Sequence, residues 1–363
     1  MKICLVANPN SAHTRRSMEG LLERGYQITL IGEHSPLTSP PNNIKYIDLT
    51  RRINIRRLRF LFWYFVMPNI LNEVQPDILH SIGASGAAWL GSAASFHPFV
   101  ITATGSDLLM LGKRSSLHNR LTRRSLLNAD HILCLGEHLK KIAISLGIHA
   151  NRIETAIFGI DTTIFHPPSK IPDHPDVPTN PVVISLRAMS PIYNPLVIAQ
   201  AIPGVLDVAP QTRFLIMTYN ANQETLEQFQ EIVHSHNADY AVQYLPSFKD
   251  DREIANVLLH SDIALSIPSS DGTPASVLES MACGNAMIVS DLPSLHDWII
   301  DGKSGLFVTP GDVLGLSQAI LRLINNPHLR ERMGREAANF AREHASRECQ
   351  FDQLEQVYRK LYG

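Results

Sequence analysis

The sequence predicts two doubly wound α/β domains joined by a proline-rich linker, and three observations lead to this fold class. First, the length of 363 residues exceeds what one hydrophobic core usually holds. Second, short apolar runs alternate with helix-length segments in both halves, which is typical of parallel βαβ units. Third, residues 166–181 contain six prolines, which lack a backbone donor and resist helix formation. The predicted domains are therefore residues 1–165 and 182–345.

The predicted elements follow from the apolar runs and the residues that interrupt them. The first helix is predicted at Thr14–Arg24, where Gly25 ends it, and residues 316–363 are predicted to be helical. The predicted strands are Lys2–Asn8, Gln27–Gly32, Asp77–His80, Phe99–Ala103, His131–Cys134, Val182–Leu186, Arg213–Met217, Ala241–Leu245, Ile263–Ile267 and Met287–Val289. In doubly wound sheets, ligands bind at the carboxyl ends of the strands.

Cysteine usage, hydropathy and charge exclude several classes of protein. The four cysteines form no CxxC pair, which argues against a disulfide framework or a zinc cluster and favours a reducing cytosol. The first apolar run is too short for a secretory signal, and no segment reaches the roughly 18–20 apolar residues of a membrane span. The first 166 residues carry 18 lysines and arginines against 11 acidic residues, whereas the remainder carries 14 against 23. The two halves are therefore expected to have different neighbours.

The most informative segment, residues 269–284, reads SSDGTPASVLESMACG and follows the strand that ends at Ile267. Thr273 is predicted as the N-cap of a helix, Pro274 as its first residue and Gly284 as its C′ residue. The free amides and the positive dipole of this helix N-terminus would suit an anion such as a diphosphate. For this segment alone, an ordinary strand-to-helix connection is an equally good interpretation.

The same segment resembles the signature of the retaining glycosyltransferases of the GT-B fold, family 4 (glycosyl transferases group 1). Two acidic residues eight positions apart, here Asp271 and Glu279, precede a run that matches residues 280–284. The family usually has a glutamate at the position of Asp271, so the carboxylate side chain is shorter here by one methylene. The resemblance implies that Glu279 binds the donor ribose and that Asp271 holds the transferred sugar. It also implies two Rossmann-like domains facing a cleft, with a C-terminal helix at about 346–363 that crosses back to the first.

Arg187, which leaves the strand at 182–186, matches an arginine that the family uses to bind the donor diphosphate. For Arg187 alone, a surface salt bridge is an equally good interpretation. The lysine that follows in the family is absent, and Tyr193 or Asn194 would supply neutral donors instead, with Asn194 also predicted as an N-cap. The resemblance further assigns to the nucleotide-sugar site Gly272, Thr273, Pro274 and Ala275, and it implies that backbone groups at Leu245 read the nucleobase.

In the first domain, Pro76–His80 and Thr102–Asp107 resemble the two acceptor-side loops of the family. The residues expected on the acceptor side are Asn10, Ser11 and His13 in the first loop of the chain, and Thr104, Gly105 and Ser106. Histidines that relatives often carry are replaced here by Ile82 and Thr104. His13 would partly compensate, and a solvated loop histidine is the alternative. Asp107 joins Asp271 and Arg187 in the predicted catalytic set, and a helix cap is an equally good interpretation of Asp107.

The stretch Arg51–Asn69 is a separate signal in which five arginines precede an apolar, mainly aromatic run at Phe60–Phe65. A basic cluster beside aromatic residues suits an anionic bilayer surface, where each charge contributes about 1 kcal/mol. A core helix with a solvated basic end is the alternative. Nucleic-acid binding is a poorer interpretation, because no basic-aromatic recognition motif appears and the net charge is −2.

Together these features predict a hexosyltransferase-type glycosyltransferase (EC 2.4) that moves a sugar from a UDP-, GDP- or ADP-sugar to a hydroxyl acceptor. The acceptor is expected to be a sugar, a lipid-linked sugar or a small molecule in polysaccharide, glycolipid or glycoconjugate synthesis. No metal or other cofactor is expected, since no Asp-x-Asp pair follows a strand. The expected location is the cytoplasm, including the inner membrane face. A nucleotide-sugar epimerase of the same fold and a catalytically silent partner subunit are the alternatives.

Overall fold

Two parallel sheets organise the chain. The structure, a computed structural model, describes residues 1–32, 34–36, 43–52, 59–167, 180–272 and 275–363. These residues form two compact units, Met1–Phe158 with Arg347–Gly363, and Gly159–Ser346. Each unit has its own buried apolar core and its own sheet. The predicted class, two Rossmann-like α/β domains, is confirmed.

In the described part of the chain, the sheet of the first unit has seven parallel strands. They are β1 (Lys2–Val6), β2 (Gln27–Gly32), β3 (Lys45–Asp48), β4 (Ile78–Ile82), β5 (Phe99–Ala103), β6 (His131–Leu135) and β7 (Ile153–Ala156). Their order across the sheet is β3-β2-β1-β4-β5-β6-β7. The central strands are almost wholly buried, as expected of a parallel sheet with helices on both faces, and this explains their continuous apolar runs.

The helices of the first unit connect these strands. They are α1 (Ala12–Glu23), α2 (Arg59–Val74), α3 (Ala87–Ala93), α4 (Ser106–Leu109), α5 (Ser116–Asn128) and α6 (Glu137–Ser145). The first helix ends as predicted, because Gly25 adopts a positive φ of 80° directly after it. Helix α3 packs against both α2 and α5.

Helix α2 contains Pro68 in its interior. Met67, Ile70 and Leu71 are all buried, so the apolar stripe continues at helical spacing beyond the proline. Packing of this stripe outweighs the loss of one helical hydrogen bond at Pro68. Among the described residues, no helix is both long enough and apolar enough to cross a membrane.

The described residues of the second unit form a six-stranded parallel sheet. Its strands are β8 (Val182–Ser185), β9 (Arg213–Met217), β10 (Val242–Leu245), β11 (Ile263–Ser266), β12 (Ala286–Ser290) and β13 (Gly305–Val308). Their order across the sheet is β10-β9-β8-β11-β12-β13. The helices are α7 (Pro195–Leu206), α8 (Gln223–Ser235), α9 (Asp251–Leu259), α10 (Ala275–Ala282), α11 (Val313–Ile324) and α12 (Pro327–His344).

The last helix, α13 (Arg347–Tyr362), belongs to the first unit. Its buried side chains Phe351, Leu354, Val357 and Tyr358 are part of the first core. The region predicted as helical thus consists of three helices, α11 to α13. Residues 159–165 lie in the second unit, where the amide of Ile160 donates to the carbonyl of Ala345 at 2.9 Å. Most of the predicted linker, residues 168–179, lies outside the described residues.

Candidate functional site

The second sheet changes direction between β8 and β11. From β8 the chain proceeds outward through β9 and β10, and it then returns to the other side of β8 as β11. The two strands pair in parallel, with Val183 opposite Ile263 and Ser185 opposite Leu265. Their carboxyl ends therefore open side by side, at the switch point where doubly wound sheets bind ligands.

Arg187 and Asp271 form an ion pair across this switch point. Arg187 lies two residues beyond β8, and Asp271 lies in the loop between β11 and α10. Nη2 of Arg187 is 2.6 Å from Oδ2 of Asp271, and Nη1 donates to Oγ of Ser276 at 3.0 Å. The two side chains are only 12% and 15% exposed, so water screens their charges weakly. The surface salt bridge considered from the sequence is thus a part-buried pair that joins two loops.

The guanidinium of Arg187 has binding capacity beyond this pair. Its Nε is buried, and among the described residues no acceptor lies within hydrogen-bonding distance of it. One face of the guanidinium lies over the ring of Tyr193, with Cζ 4.3 Å from the ring centroid. A buried donor without an acceptor is costly, so this part of the site is suited to an incoming anion.

Opposing effects act on the pKa of Asp271. Burial raises its pKa above the ordinary value, whereas the positive charge of Arg187 and the amide of Gly272 act in the opposite direction. The Gly272 amide donates to Oδ1 at 2.9 Å. The carboxylate is therefore oriented by one residue of its own loop and one residue of the loop after β8.

Asn194 joins the same two loops, which differs from its predicted role. It occupies the N-cap position of α7, but its side chain makes no capping hydrogen bond, and its backbone is left-handed, with φ 51°. Its Nδ2 donates to the carbonyl of Ile267 at 2.9 Å, and its Oδ1 accepts from Oγ of Ser269 at 2.9 Å. The predicted use of this amide as a neutral donor is therefore replaced by a structural contact between loops.

Helix α10, which follows the loop that carries Asp271, contains Ser276 and Glu279. Glu279 is 4% exposed, in contrast to the solvated position that is usual for this residue type. Gly284 follows the helix with a φ of 87°, which confirms the predicted C′ position. Ser276 was not assigned from the sequence, although it lies in the first turn of the quoted segment. Thr273 and Pro274 lie outside the described residues, and Ala275 begins the described helix.

Leu245 is the last residue of β10, so it lies at the carboxyl ends of the strands, as the switch point does. Strand β10 is separated from β8 by β9. Its side chain is buried, and its carbonyl accepts from the amide and from the hydroxyl of Thr218, both at 2.9 Å. These two contacts occupy both lone pairs of the carbonyl. The predicted use of the Leu245 backbone to read a nucleobase is therefore not available to this carbonyl.

In the first unit the corresponding switch point lies between β1 and β4. Nδ2 of Asn10 donates to the carbonyl of Ser35 at 3.0 Å, and Ser11 occupies the N-cap position of α1 without a side-chain cap. His13 lies in the first turn of α1 and stacks on Phe158, with ring centroids 4.0 Å apart. Burial, with a smaller effect of Arg16, lowers the pKa of His13 to about 4. The solvated alternative therefore does not describe this histidine, which is neutral at pH 7.

Asp107 holds the loop that precedes α4, and the structure favours its alternative role as a cap. Oδ2 accepts from the amides of Ala84 and Thr104 at 2.6 and 3.0 Å, and Oδ1 accepts from those of Gly105 and Leu108 at 2.8 and 3.1 Å. The residue is buried, and both oxygens are occupied by backbone donors. The predicted catalytic role is at odds with this geometry. Ser106 is exposed beside it.

Both units match families of known enzymes. Residues 2–135 match the family described as glycosyl transferase 4-like, and residues 169–340 match the family described as glycosyl transferases group 1. These two matches cover most of the chain, and the double-sheet architecture agrees with them. The chain belongs to the GT-B glycosyltransferases of group 1. The protein is a glycosyltransferase.

Two curated relatives of this glycosyltransferase illustrate the range of similarity. An uncharacterized glycosyltransferase of Methanocaldococcus jannaschii is 22% identical over 301 residues, which cover 82% of this chain and 79% of the relative. The N,N'-diacetylbacillosaminyl-diphospho-undecaprenol alpha-1,3-N-acetylgalactosaminyltransferase of Campylobacter jejuni is 33% identical over 124 residues. That match covers 34% of this chain and 30% of the relative.

Solved structures resemble the whole glycosyltransferase in fold. Sucrose-phosphate synthase from Thermosynechococcus elongatus superposes with a TM-score of 0.84 at 16% identity, covering 100% of this chain and 99% of that one. The Anabaena protein HepE in complex with UDP superposes with a TM-score of 0.81 at 15% identity, covering 99% and 100%. At these identities the likeness establishes the shared fold.

Proposed function

We propose that this glycosyltransferase transfers a sugar from a nucleoside diphosphate-sugar to a hydroxyl acceptor, with retention at the anomeric carbon and without a metal. The observation that carries the proposal is the Arg187–Asp271 pair at the switch point of the second sheet. Arg187 supplies fixed positive charge where a diphosphate would leave, and Asp271 supplies an acceptor for sugar hydroxyls. The two groups lie side by side, as the diphosphate and the sugar do in one donor molecule.

The chemistry in this proposal is electrostatic. The bond between the anomeric carbon and the diphosphate oxygen breaks while the acceptor oxygen bonds to the same face of the sugar. The departing phosphate oxygen takes the acceptor proton, so no separate base is needed. Arg187 and the amides at the start of α10 stabilise the charge that develops on the diphosphate. Glu279, in the interior of α10, binds the ribose hydroxyls of the donor.

For the donor we propose UDP-, GDP- or ADP-sugars, with UDP-sugars first, because the HepE neighbour was solved with UDP. For the acceptor we favour a sugar linked to a lipid. The Campylobacter jejuni relative is named for an undecaprenol-linked acceptor, and a 27% identical relative from Mycobacterium leprae is named phosphatidyl-myo-inositol mannosyltransferase. These names support a role in polysaccharide, glycolipid or glycoconjugate synthesis, for which we propose the cytoplasmic face of a membrane as the location.

A membrane contact agrees with the exposed side chains of α2 and α5. Phe65 on α2 is 68% exposed and Leu117 on α5 is 65% exposed, and exposed Arg120 and Arg124 lie on α5. Both helices precede a strand, so they begin near the carboxyl edge of the sheet, and Phe65 and Leu117 lie in their first halves. Helix α5 contains no acidic residue, which complements an anionic lipid surface.

Only part of the predicted aromatic run faces outward. Trp63 is buried, and its Nε1 donates to the carbonyl of Leu49 at 2.9 Å. Trp63 therefore belongs to the core, as the alternative interpretation of this helix required. Arg56 and Arg57 lie outside the described residues, as do the side chains of Arg51, Arg52 and Arg59.

Release of nucleoside diphosphate from a panel of donors, with and without a lipid extract, tests the proposed reaction. We expect acceptor-dependent release with one class of donor, and a loss of at least about a hundredfold in Arg187→Met because transition-state charge loses its partner. Arg213→Met is the matched control, because Arg213 is the first residue of β9 and lies at the amino ends of the strands, away from the switch point. Epimerisation of intact donor would favour the epimerase, and the absence of any turnover would favour a silent subunit.

Sedimentation with lipid vesicles tests the membrane contact separately. We expect binding to phosphatidylglycerol vesicles, little binding to phosphatidylcholine, and a several-fold loss in a Phe65→Glu/Leu117→Glu variant. Leu314→Glu is the control, because Leu314 is similarly exposed but belongs to the second unit. Equal binding to both lipids would contradict the proposed electrostatic contact.

A further inference from the structure

Tyr193 contacts Arg187 through its aromatic ring. Tyr193 ends a short 3-10 turn, Pro191–Tyr193, in the connection between β8 and α7. The guanidinium carbon of Arg187 lies 4.3 Å from the ring centroid, within the range of a cation–π interaction. Because Arg187 is largely shielded from water, this attraction is stronger than it would be at the protein surface.

The position of the ring is set by both loops of the switch point. The amide of Tyr193 donates to the carbonyl of Ser190 at 2.9 Å, and the amide of Ser269 donates to the carbonyl of Ile192 at 2.8 Å. The following residue, Asn194, is held by Ile267 and Ser269 through its side chain. The turn that carries the ring is therefore attached to the loop after β11, which also carries Asp271.

The guanidinium is held at three places: by Asp271 at Nη2, by Ser276 at Nη1 and by Tyr193 on its face. An incoming anion would meet the guanidinium at Nε, which has no hydrogen-bond partner among the described residues, and would compete with Asp271 for Nη2. The ring and Ser276 would then keep the guanidinium in place. Residues 191–195 contain no lysine or arginine, so no second cation from this loop shares the task.

We propose that the ring of Tyr193 is a positioning element that keeps Arg187 at the switch point while its guanidinium binds the donor diphosphate. This inference rests on the proposed function. It assigns the effect to the aromatic face, whereas the sequence indicated a neutral hydroxyl donor at this position. The two roles make opposite predictions for a phenylalanine, which keeps the face and removes the hydroxyl.

Calorimetry with UDP and initial-rate kinetics on four variants tests the inference. We expect Tyr193→Phe and Tyr193→Trp to keep the UDP affinity and kcat/KM within about twofold. We expect Tyr193→Leu to weaken both about tenfold, which corresponds to about 1.4 kcal/mol. Tyr240→Leu is the matched control, because the ring centroid of Tyr240 lies 5.8 Å from Cζ of Arg213, at the amino ends of the strands of the same sheet. This variant should change neither the UDP affinity nor kcat/KM.

The same substitution in an Arg187→Met background separates positioning from general packing. If the ring acts through Arg187, Tyr193→Leu should change UDP affinity less than about twofold there. An equal tenfold loss in both backgrounds, or a loss in Tyr193→Phe, would overturn the inference. Should Tyr193→Leu not fold, a loss in both ring-retaining variants would still overturn it. Absence of nucleotide binding by the unaltered protein would instead overturn the proposed function.

Discussion

At the scale of single residues, the central feature is a part-buried pair of opposite charges, Arg187 and Asp271. Arg187 and Asp271 are separated by 84 positions in the chain, yet their side chains meet at 2.6 Å because β8 and β11 are neighbours. Burial raises the pKa of Asp271, and Arg187 opposes this shift. The carboxylate thus competes with any anion that approaches the guanidinium.

Asp271→Asn should therefore separate nucleotide binding from transfer. We expect UDP affinity to be kept or to rise about three- to tenfold, because the guanidinium loses its competing charge. We expect the transfer rate to fall at least about a hundredfold, because the sugar loses a charged acceptor. Calorimetry and initial rates measure the two effects. Asp291→Asn, at an exposed carboxylate of the same unit, is the control, and unimpaired transfer by Asp271→Asn would contradict its assigned role.

At the scale of elements, α13 is the predicted C-terminal helix, and it contributes to the core of the first unit. It packs on α1, where a Cβ on Gly20 would overlap the ring of Phe351, so this close approach requires glycine. Farther along α13, the hydroxyl of Tyr358 lies 2.6 Å from Nδ1 of His80 on β4. Nε2 of His80 lies 2.8 Å from Oγ1 of Thr102 on β5. This buried chain of polar groups joins the helix to the sheet.

The polar chain makes stability depend on pH in a defined direction. Burial lowers the pKa of His80 from 6.5 to about 3, so the folded state holds the neutral ring while the unfolded state binds a proton below pH 6.5. The contribution of His80 is complete above pH 6.5 and falls by about 1.4 kcal/mol per pH unit between pH 6.5 and 3.

Denaturant unfolding between pH 4 and 7 measures this slope. His80→Gln cannot take up the proton, so its stability should vary less with pH than that of the unaltered protein, although it is less stable at pH 7. Thr155→Ser is the control, because Thr155 lies on the edge strand β7 of the same sheet and its hydroxyl donates to Glu137. Parallel pH profiles for His80→Gln and the unaltered protein would show that His80 does not titrate on unfolding.

At the scale of the whole molecule, the chain folds into two units with separate cores, and the first unit is discontinuous in sequence. Met1–Phe158 is completed by Arg347–Gly363, while Gly159–Ser346 is continuous. The last 17 residues thus leave the second unit and contribute four buried side chains to the first core. Stability of the two units should respond differently to changes in this segment.

Deletion of residues 347–363 should therefore lower amide protection in the first unit and leave the second nearly unchanged. The exposed apolar surface left on α1 and the sheet accounts for the loss. Hydrogen exchange followed by mass spectrometry measures both units in one experiment. Deletion of Tyr362 and Gly363 alone is the control, since both are exposed. Equal loss of protection in the two units would contradict the division described above.

The buried strands were predictable because their apolar runs are continuous, and the fully buried β5 and the inner strand β9 have the predicted bounds. The three strands that the sequence analysis did not identify, β3, β7 and β13, all lie at the edges of their sheets. An edge strand is covered on fewer sides, so its sequence needs less apolar content. Of the site, Arg187, Asp271 and Glu279 were identified through the resemblance to family 4, whereas Ser276 was not assigned.

The fold class, the family and the assignment of Arg187, Asp271 and Glu279 to the site could be read from the chain alone, because local periodicity and motifs contiguous in sequence are sufficient for them. Tertiary structure alone decided which groups meet: Arg187 with Asp271 and Tyr193, and Asp107 with the amides of two loops. Side chains brought together by strand order are distant in sequence, and the pairing that fixes their geometry has no local signal.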